Sequence, residues 1–150
     1  MAKTKEAKLW LRIKKLNLKA HFTRIESSTL NGIPDVNACD NGAHYWLELK
    51  SNDLKNCGLS KWQINWHCDR IKSGGYVFIL NQTLVPRALK LLALDPISRT
   101  PFLVSRFTDN EEGMRSILED AASRAREPRS SYRDWETDRK STRLNSSHRL

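Results

Sequence analysis

The chain has no apolar run approaching the roughly 18 consecutive residues that a membrane-spanning helix needs. No membrane partner is expected. Its start, Met1-Ala2-Lys3-Thr4-Lys5-Glu6, lacks the apolar core of a secretory signal and leads directly into a charged segment. Cysteine is scarce: Cys39, Cys57 and Cys68 form no CxxC pair and leave one thiol over in any pairing scheme. That excludes a disulfide framework and fits a reducing cytoplasm. Cys57, His67 and Cys68 lack the spacing of a common zinc site, so the three thiols read as buried or bystander groups.

What the chain has is positive charge, unevenly spread. The net charge is +9 over 150 residues. Lys3, Lys5, Lys8, Arg12, Lys14, Lys15 and Lys19 stand against Glu6 alone in residues 1–19, residues 20–128 balance, and the remainder of the excess lies in residues 129–150. A basic amino-terminal helix suits a phosphate backbone, although a solvated helix face has the same composition.

The most informative stretch runs from Gly32-Ile33-Pro34-Asp35 to Trp46-Leu47-Glu48-Leu49-Lys50. Asp40-Asn41-Gly42 is a tight-turn signal between two runs that alternate polar and apolar residues. With Asn41 and Gly42 as the turn, Asp40 faces Ala43, and counting back sets Asp35 opposite Glu48. Directly opposed residues have Cβ atoms roughly 5 Å apart. Lys50, two residues past Glu48, projects from the same face. Two carboxylates and one amine therefore converge on one patch. Opposed like charges are unfavourable unless neutralised, and a divalent cation is the natural neutraliser. Val36, Ala38, Tyr45, Leu47 and Leu49 take the other face and should pack on helices.

Around this hairpin the pattern is mixed. Residues 3–17 are expected to form an amphipathic helix, with Leu9, Ile13 and Leu16 at helical spacing beside Trp10 and Asn17 at the end. Residues 20–26 are expected as a strand, Phe22, Arg24 and Glu26 on one face. Ser27 to Gly32 reads as a loop able to offer hydroxyls and amides to a phosphate, and Ser51 to Gly58 as a polar loop beside Lys50. Ser60 to Ser73 is expected as a helix opened by a Ser60–Gln63 capping box and closed by Gly74-Gly75, with Trp62, Trp66 and Ile71 as core. His67 reads as a packed histidine. Tyr76-Val77-Phe78-Ile79-Leu80 is expected as a buried strand, reached by a right-handed crossover. Ala88–Leu94 and Phe102–Phe107 are weaker strand candidates. Asp109 with Glu112 suggests a second capping box, opening a helix to about Arg126 before Pro128. The prediction is an α/β core: helix, antiparallel meander, helix, then a strand added to the sheet, all in one domain over residues 1–128.

Pro34-Asp35 followed by Glu48-Leu49-Lys50 resembles the PD-(D/E)xK nuclease superfamily, above all its small phage, VRR-NUC and Holliday-junction-resolvase-like members. The resemblance covers roughly residues 5 to 80. It implies a restriction-endonuclease-like core, a central mixed sheet with an antiparallel meander flanked by helices. It further implies Mg²⁺-dependent hydrolysis of DNA phosphodiesters, with Mn²⁺ as a substitute. The DNA would be branched or structured, the enzyme would act in a bacterial host cytoplasm if phage-encoded, and a homodimer is the expected form. In that reading Asp35 and Glu48 hold the metal, with the Leu49 carbonyl as a further oxygen ligand, and Lys50 orients the attacking water. Glu6 and Glu26 are alternative third carboxylates. Glu6 otherwise complements the positive end of its helix, and Glu26 otherwise forms a surface pair with Arg24. Gln63 is either a site residue or only a cap. Arg24, Lys14, Lys15 and Lys19 are expected to contact DNA. The runner-up is a DNA-binding or assembly module of the same fold without turnover.

The segment Asp138-Arg139-Lys140-Ser141-Thr142-Arg143-Leu144-Asn145-Ser146-Ser147-His148 resembles the translation of a synthetic adapter used in sequencing libraries. Residues 129–150 are accordingly expected to be a non-native, disordered tail, and their charge is not counted towards DNA binding.

Overall fold

In the computed structural model, which describes residues 4–26 and 30–128, the Asn41-Gly42 turn sets the register of the sheet. Both residues adopt positive φ, 49° and 84°, as a two-residue type I′ hairpin requires. Strand β2 (Val36–Asp40) therefore pairs with β3 (Ala43–Lys50) antiparallel, Asp40 opposite Ala43 and Val36 opposite Leu47. Strand β1 (His21–Arg24) joins the other edge of β2, Arg24 opposite Val36. Helix α2 (Lys61–Lys72) then carries the chain back, and β4 (Val77–Leu84) lies parallel to β3. Two further antiparallel strands, β5 (Arg87–Leu94) and β6 (Pro101–Phe107), complete the sheet. The strand order equals the chain order, β1 to β6. With α1 (Lys5–Lys15) and α3 (Glu111–Arg126), the fold is α/β: a six-stranded mixed sheet flanked by three helices. Among the described residues no helix is long and apolar enough to cross a membrane.

The two-residue alternation of the strands sorts the core into two layers. Tyr45, Leu47 and Leu49 of β3, with Phe78 and Leu80 of β4, pack on Leu9 and Ile13 of α1 and on Met114, Ile117 and Ala121 of α3. The intervening residues, Val77 and Ile79, face Cys68 and Ile71 of α2, with Trp46 set edge-on against Trp66. Both faces of β3 are covered, so a charged residue near its end is buried, which is costly unless it finds partners.

Several local expectations need correction. Helix α1 starts at Lys5 because the Thr4 side chain caps it. Strand β1 stops at Arg24, since Ile25 N–H donates instead to the Asp35 carbonyl at 2.7 Å, and Glu26 falls beyond the strand. Strand β4 runs four residues past its apolar core. Asn81 can be buried there because it exchanges hydrogen bonds with the Asn52 backbone, and Thr83 because its hydroxyl donates to the Pro86 carbonyl. Trp62 is 49% exposed, on the outer face of α2 beside Lys61, and is not core.

The expected Asp109–Glu112 capping box does not form. Asn110 caps α3 by accepting from Gly113 N–H. The Asp109 carboxylate is 2% exposed and accepts from Arg12, Arg87 and Gln82 at 2.6–2.8 Å. Burial would raise its pKa, but these hydrogen bonds and the Arg12 charge outweigh that and hold it below the usual carboxylate range.

Ser27-Ser28-Thr29 and the whole of residues 129–150, adapter-like segment included, lie outside the described residues.

Candidate active site

Extending the β2–β3 register by one step sets Asp35 opposite Glu48, and the side chains follow. Asp35 Oδ2 accepts from Leu49 N–H at 2.8 Å, and its carboxyl group lies close enough to that of Glu48 to raise the Glu48 pKa. Arg24 Nη1 stands 3.1 Å from Asp35 Oδ1 as an ion pair. Glu48 is 1% exposed. Burial first, then the hydrogen bond and charge of Asp35, push it up to about 9, while Lys50 and Arg24 pull the other way. A buried acid set against a second acidic side chain favours its neutral form.

The α2 face supplies the rest. Lys50 Nζ donates to Gln63 Oε1 and to the Gly58 carbonyl, both at 3.2 Å. Gln63 Oε1 also accepts from Ser60 N–H at 2.9 Å, and Ser60 Oγ accepts from Gln63 N–H. The two readings of Gln63 are therefore compatible: the side chain that closes the capping box also holds the Lys50 amine. One turn along α2, His67 Nε2 lies 3.3 Å from Glu48 Oε1. Burial and then Lys50 push His67 down to about 4, against the opposing charge of Asp35. Both partners favour their neutral forms, so this contact is a hydrogen bond and not an ion pair. His67 Nδ1 is buried without a partner among the described residues.

His67 is more than the packed histidine its sequence context suggests, and a spacing argument finds it. Four residues of helix rise about 6 Å, and two residues of strand about 6.6 Å. If Gln63 faces Lys50 on a helix running back along β3, then His67 faces Glu48.

No protein-family model matches the chain, and no curated protein matches it. The chemistry of the site therefore rests on its own geometry.

The donor set fits Mg²⁺, which favours oxygen ligands, keeps several waters and needs only one or two carboxylates. Asp35 and Glu48 would be those carboxylates. Glu6 and Glu26 do not join them: among the described residues no three His, Cys, Asp or Glu side chains gather into a group able to hold a metal ion. Glu6 belongs to α1, in the layer across the sheet from α2, and Glu26 is exposed beyond the end of β1. Lys14, Lys15 and Lys19 are exposed, Lys14 lying 5.9 Å over the Trp10 ring.

The backbone that carries Asp35 is seated on α2. Gly32 has φ +91°, and a Cβ there would overlap the Trp62 carbonyl oxygen. Gly32→Ala should therefore push the Gly32–Asp35 segment off α2, costing about 1–3 kcal/mol from the clash alone. Thermal unfolding by circular dichroism would register a fall in Tm of several degrees. A Tm equal to that of the unaltered chain would show that this segment is not anchored there.

Proposed function

We propose that the chain is a metal-dependent endonuclease of the PD-(D/E)xK type, hydrolysing DNA phosphodiester bonds at Asp35, Glu48 and Lys50. The observation that carries this reading is the Asp35–Glu48 pair: two acidic side chains come together at the end of β3, Glu48 buried and pushed up by its neighbour Asp35, and the Lys50 amine is fixed beside them by Gln63. When bound, Mg²⁺ or Mn²⁺ would polarise a phosphoryl oxygen and acidify a water.

The residues of the chain do the remaining work. Asp35, held by Leu49 N–H and Arg24, is the fixed carboxylate. Glu48 must lose its proton to act as a ligand, and the Asp35–Glu48 contact then becomes a repulsion that only a cation relieves. His67 orients Glu48 from behind and keeps that side of the carboxyl dry. Lys50 steadies the attacking water and the negative charge that builds on the phosphoryl oxygens. In the reaction water adds to phosphorus, one P–O ester bond breaks, and the leaving alkoxide takes up a proton.

The second reading, a DNA-binding module without turnover, is favoured by one observation. Arg24 already supplies a cation to Asp35. Incubating the purified chain with four-way junctions, flaps, single strands and linear duplex, in Mg²⁺ and in EDTA, separates the two. Cleavage in Mg²⁺ that EDTA stops supports the nuclease, and the preferred substrate tells whether branched DNA is the target. Binding without cleavage of any substrate supports the module. A dimer able to cut paired strands would show as a molecular mass twice that of the chain.

A further inference from the structure

On the opposite side of the sheet from Lys50, the structure has a cavity of about 270 Å³ whose lining includes Lys5, Lys8, Arg12 and Arg87 together with Gln82 and Asp109. Lys5, Lys8 and Arg12 line one face of α1, and Arg87 comes from the start of β5. Four cations face one carboxylate. That imbalance is structured: Asp109 is buried and spends its oxygens on Arg12 Nη1 at 2.7 Å, Arg87 Nε at 2.6 Å and Gln82 Nε2 at 2.8 Å. It fixes the two guanidinium groups side by side, and each keeps further N–H donors for something else. Lys5 and Lys8 make no ion pair within the described residues.

The cavity is joined to the candidate active site. Gln82 Oε1 accepts from Ser51 Oγ at 3.1 Å, and Ser51 follows Lys50. In the β3–β4 register Lys50 stands opposite Asn81, one residue before Gln82. Alternation sends Lys50 to the α2 face and Ser51 with Gln82 to the α1 face of the same sheet end. A chain of contacts thus runs from β3 through Ser51, Gln82 and Asp109 to both arginines.

We propose that this cavity is a second phosphate site, which takes a phosphate of the nucleic-acid strand whose scissile phosphate lies at Lys50. Fixed guanidinium groups suit phosphate because their parallel N–H donors match its oxygens, and charge-assisted bonds of this kind are the strong ones. The proposal rests on the nuclease reading for the identity of the strand, and on the cavity alone for phosphate binding.

The test measures binding by fluorescence anisotropy in EDTA, where the metal-dependent reaction is blocked. Labelled oligonucleotides carrying a 5′-phosphate, a 3′-phosphate or neither are compared, with inorganic phosphate as competitor. The chains are the unaltered protein, Lys5→Gln/Lys8→Gln, and Lys14→Gln/Lys15→Gln, which removes the same charge outside the cavity. Lys5 and Lys8 are chosen because both are exposed and neither appears in an ion pair among the described residues. The expected result is about a tenfold loss of affinity in Lys5→Gln/Lys8→Gln and a smaller loss in the control. The salt slope should fall by roughly 0.9 for each phosphate of duplex DNA that the variant no longer neutralises.

A loss confined to one phosphorylated end identifies a terminal phosphate as the ligand. A loss equal across all three oligonucleotides identifies a backbone phosphate. Equal losses in both double variants, or none, would overturn the cavity as a site. Inorganic phosphate binding without any DNA binding would overturn the nucleic-acid source. Cleavage assays of the unaltered chain are scored separately, so a nuclease with no second site and a phosphate site with no nuclease give different results.

Discussion

Asp35→Ala, Glu48→Ala and Lys50→Ala should each lower DNA hydrolysis by about a hundredfold or more, while DNA binding in EDTA changes little. The size follows from what each removes. With either carboxylate removed the site keeps one anionic side chain, so the ion is held more weakly and less precisely against the phosphate. Without Lys50 the charge building on the phosphoryl oxygens loses its one nearby amine, and deleting such a donor typically reduces the rate by about a hundred- to a thousandfold. Binding persists because affinity for nucleic acid comes mainly from phosphate contacts spread over the surface. Single-turnover cleavage beside anisotropy is the measurement. Asp35→Ala cutting at the unaltered rate would remove the site assignment. Glu6→Ala and Glu26→Ala belong in the same series: the geometry keeps both away from the pair, so both should retain most of the activity.

Glu48→Gln should raise the Tm of the metal-free chain above about pH 7, even though it removes activity. In the unfolded chain Glu48 ionises near 4.5, in the folded chain near 9. Between those values the unfolded chain binds fewer protons, so stability falls as pH rises, by at most about 1.4 kcal/mol per pH unit. His67 acts in the opposite sense. It titrates near 4 when folded and 6.5 when unfolded. Between those values the unfolded chain binds more protons, and stability rises with pH. The two oppose each other up to about pH 6.5, after which Glu48 alone remains. Melting curves from about pH 5 to 9 in EDTA should therefore be flat at first and then decline. Glu48→Gln should abolish the decline, and saturating Mg²⁺ should restore the lost stability through binding to the folded state. If the unaltered chain shows no decline relative to Glu48→Gln, the buried acid pair is not as close as described.

The hairpin is legible in the sequence because its determinants are local. Asn41-Gly42 fixes the turn, alternation fixes the faces, and together they put Asp35, Glu48 and Lys50 on one patch before any tertiary contact is known. The helix and strand order follows from the same short-range patterns. What stays hidden is set by distant partners. Asp109 has the spacing of a cap, yet Arg12, on the first helix, and Arg87 claim its carboxylate; Asn110 is left to cap. His67 depends on which face of α2 meets β3, and periodicity does not give that. Trp62 reads as core in the sequence because size and apolarity do not say which side of a helix is outside. Gln63 serves two functions where its position suggests one, since its oxygen has two lone pairs and both are used.

The sheet is two antiparallel meanders, and only the β3–β4 pairing joins them. Each meander can zip from its own short turns, whereas the parallel seam must first close the long connection through α2, which is entropically costly. Glu48, Lys50, Gln63 and His67 lie along that seam or on the helix that spans it, and Asp35 reaches it from the start of β2. The candidate chemistry is thus tied to the least local strand pairing of the sheet, the pairing expected to open first when the protein breathes. The Trp46 amide, which donates across the seam to the Tyr76 carbonyl, should exchange with deuterium sooner than the amides shared by β4 and β5. The reverse order would mean that the halves come apart elsewhere. A ligand bridging Asp35 and Glu48 would act as a clasp within the first half, drawing the start of β2 onto β3 right beside that joint.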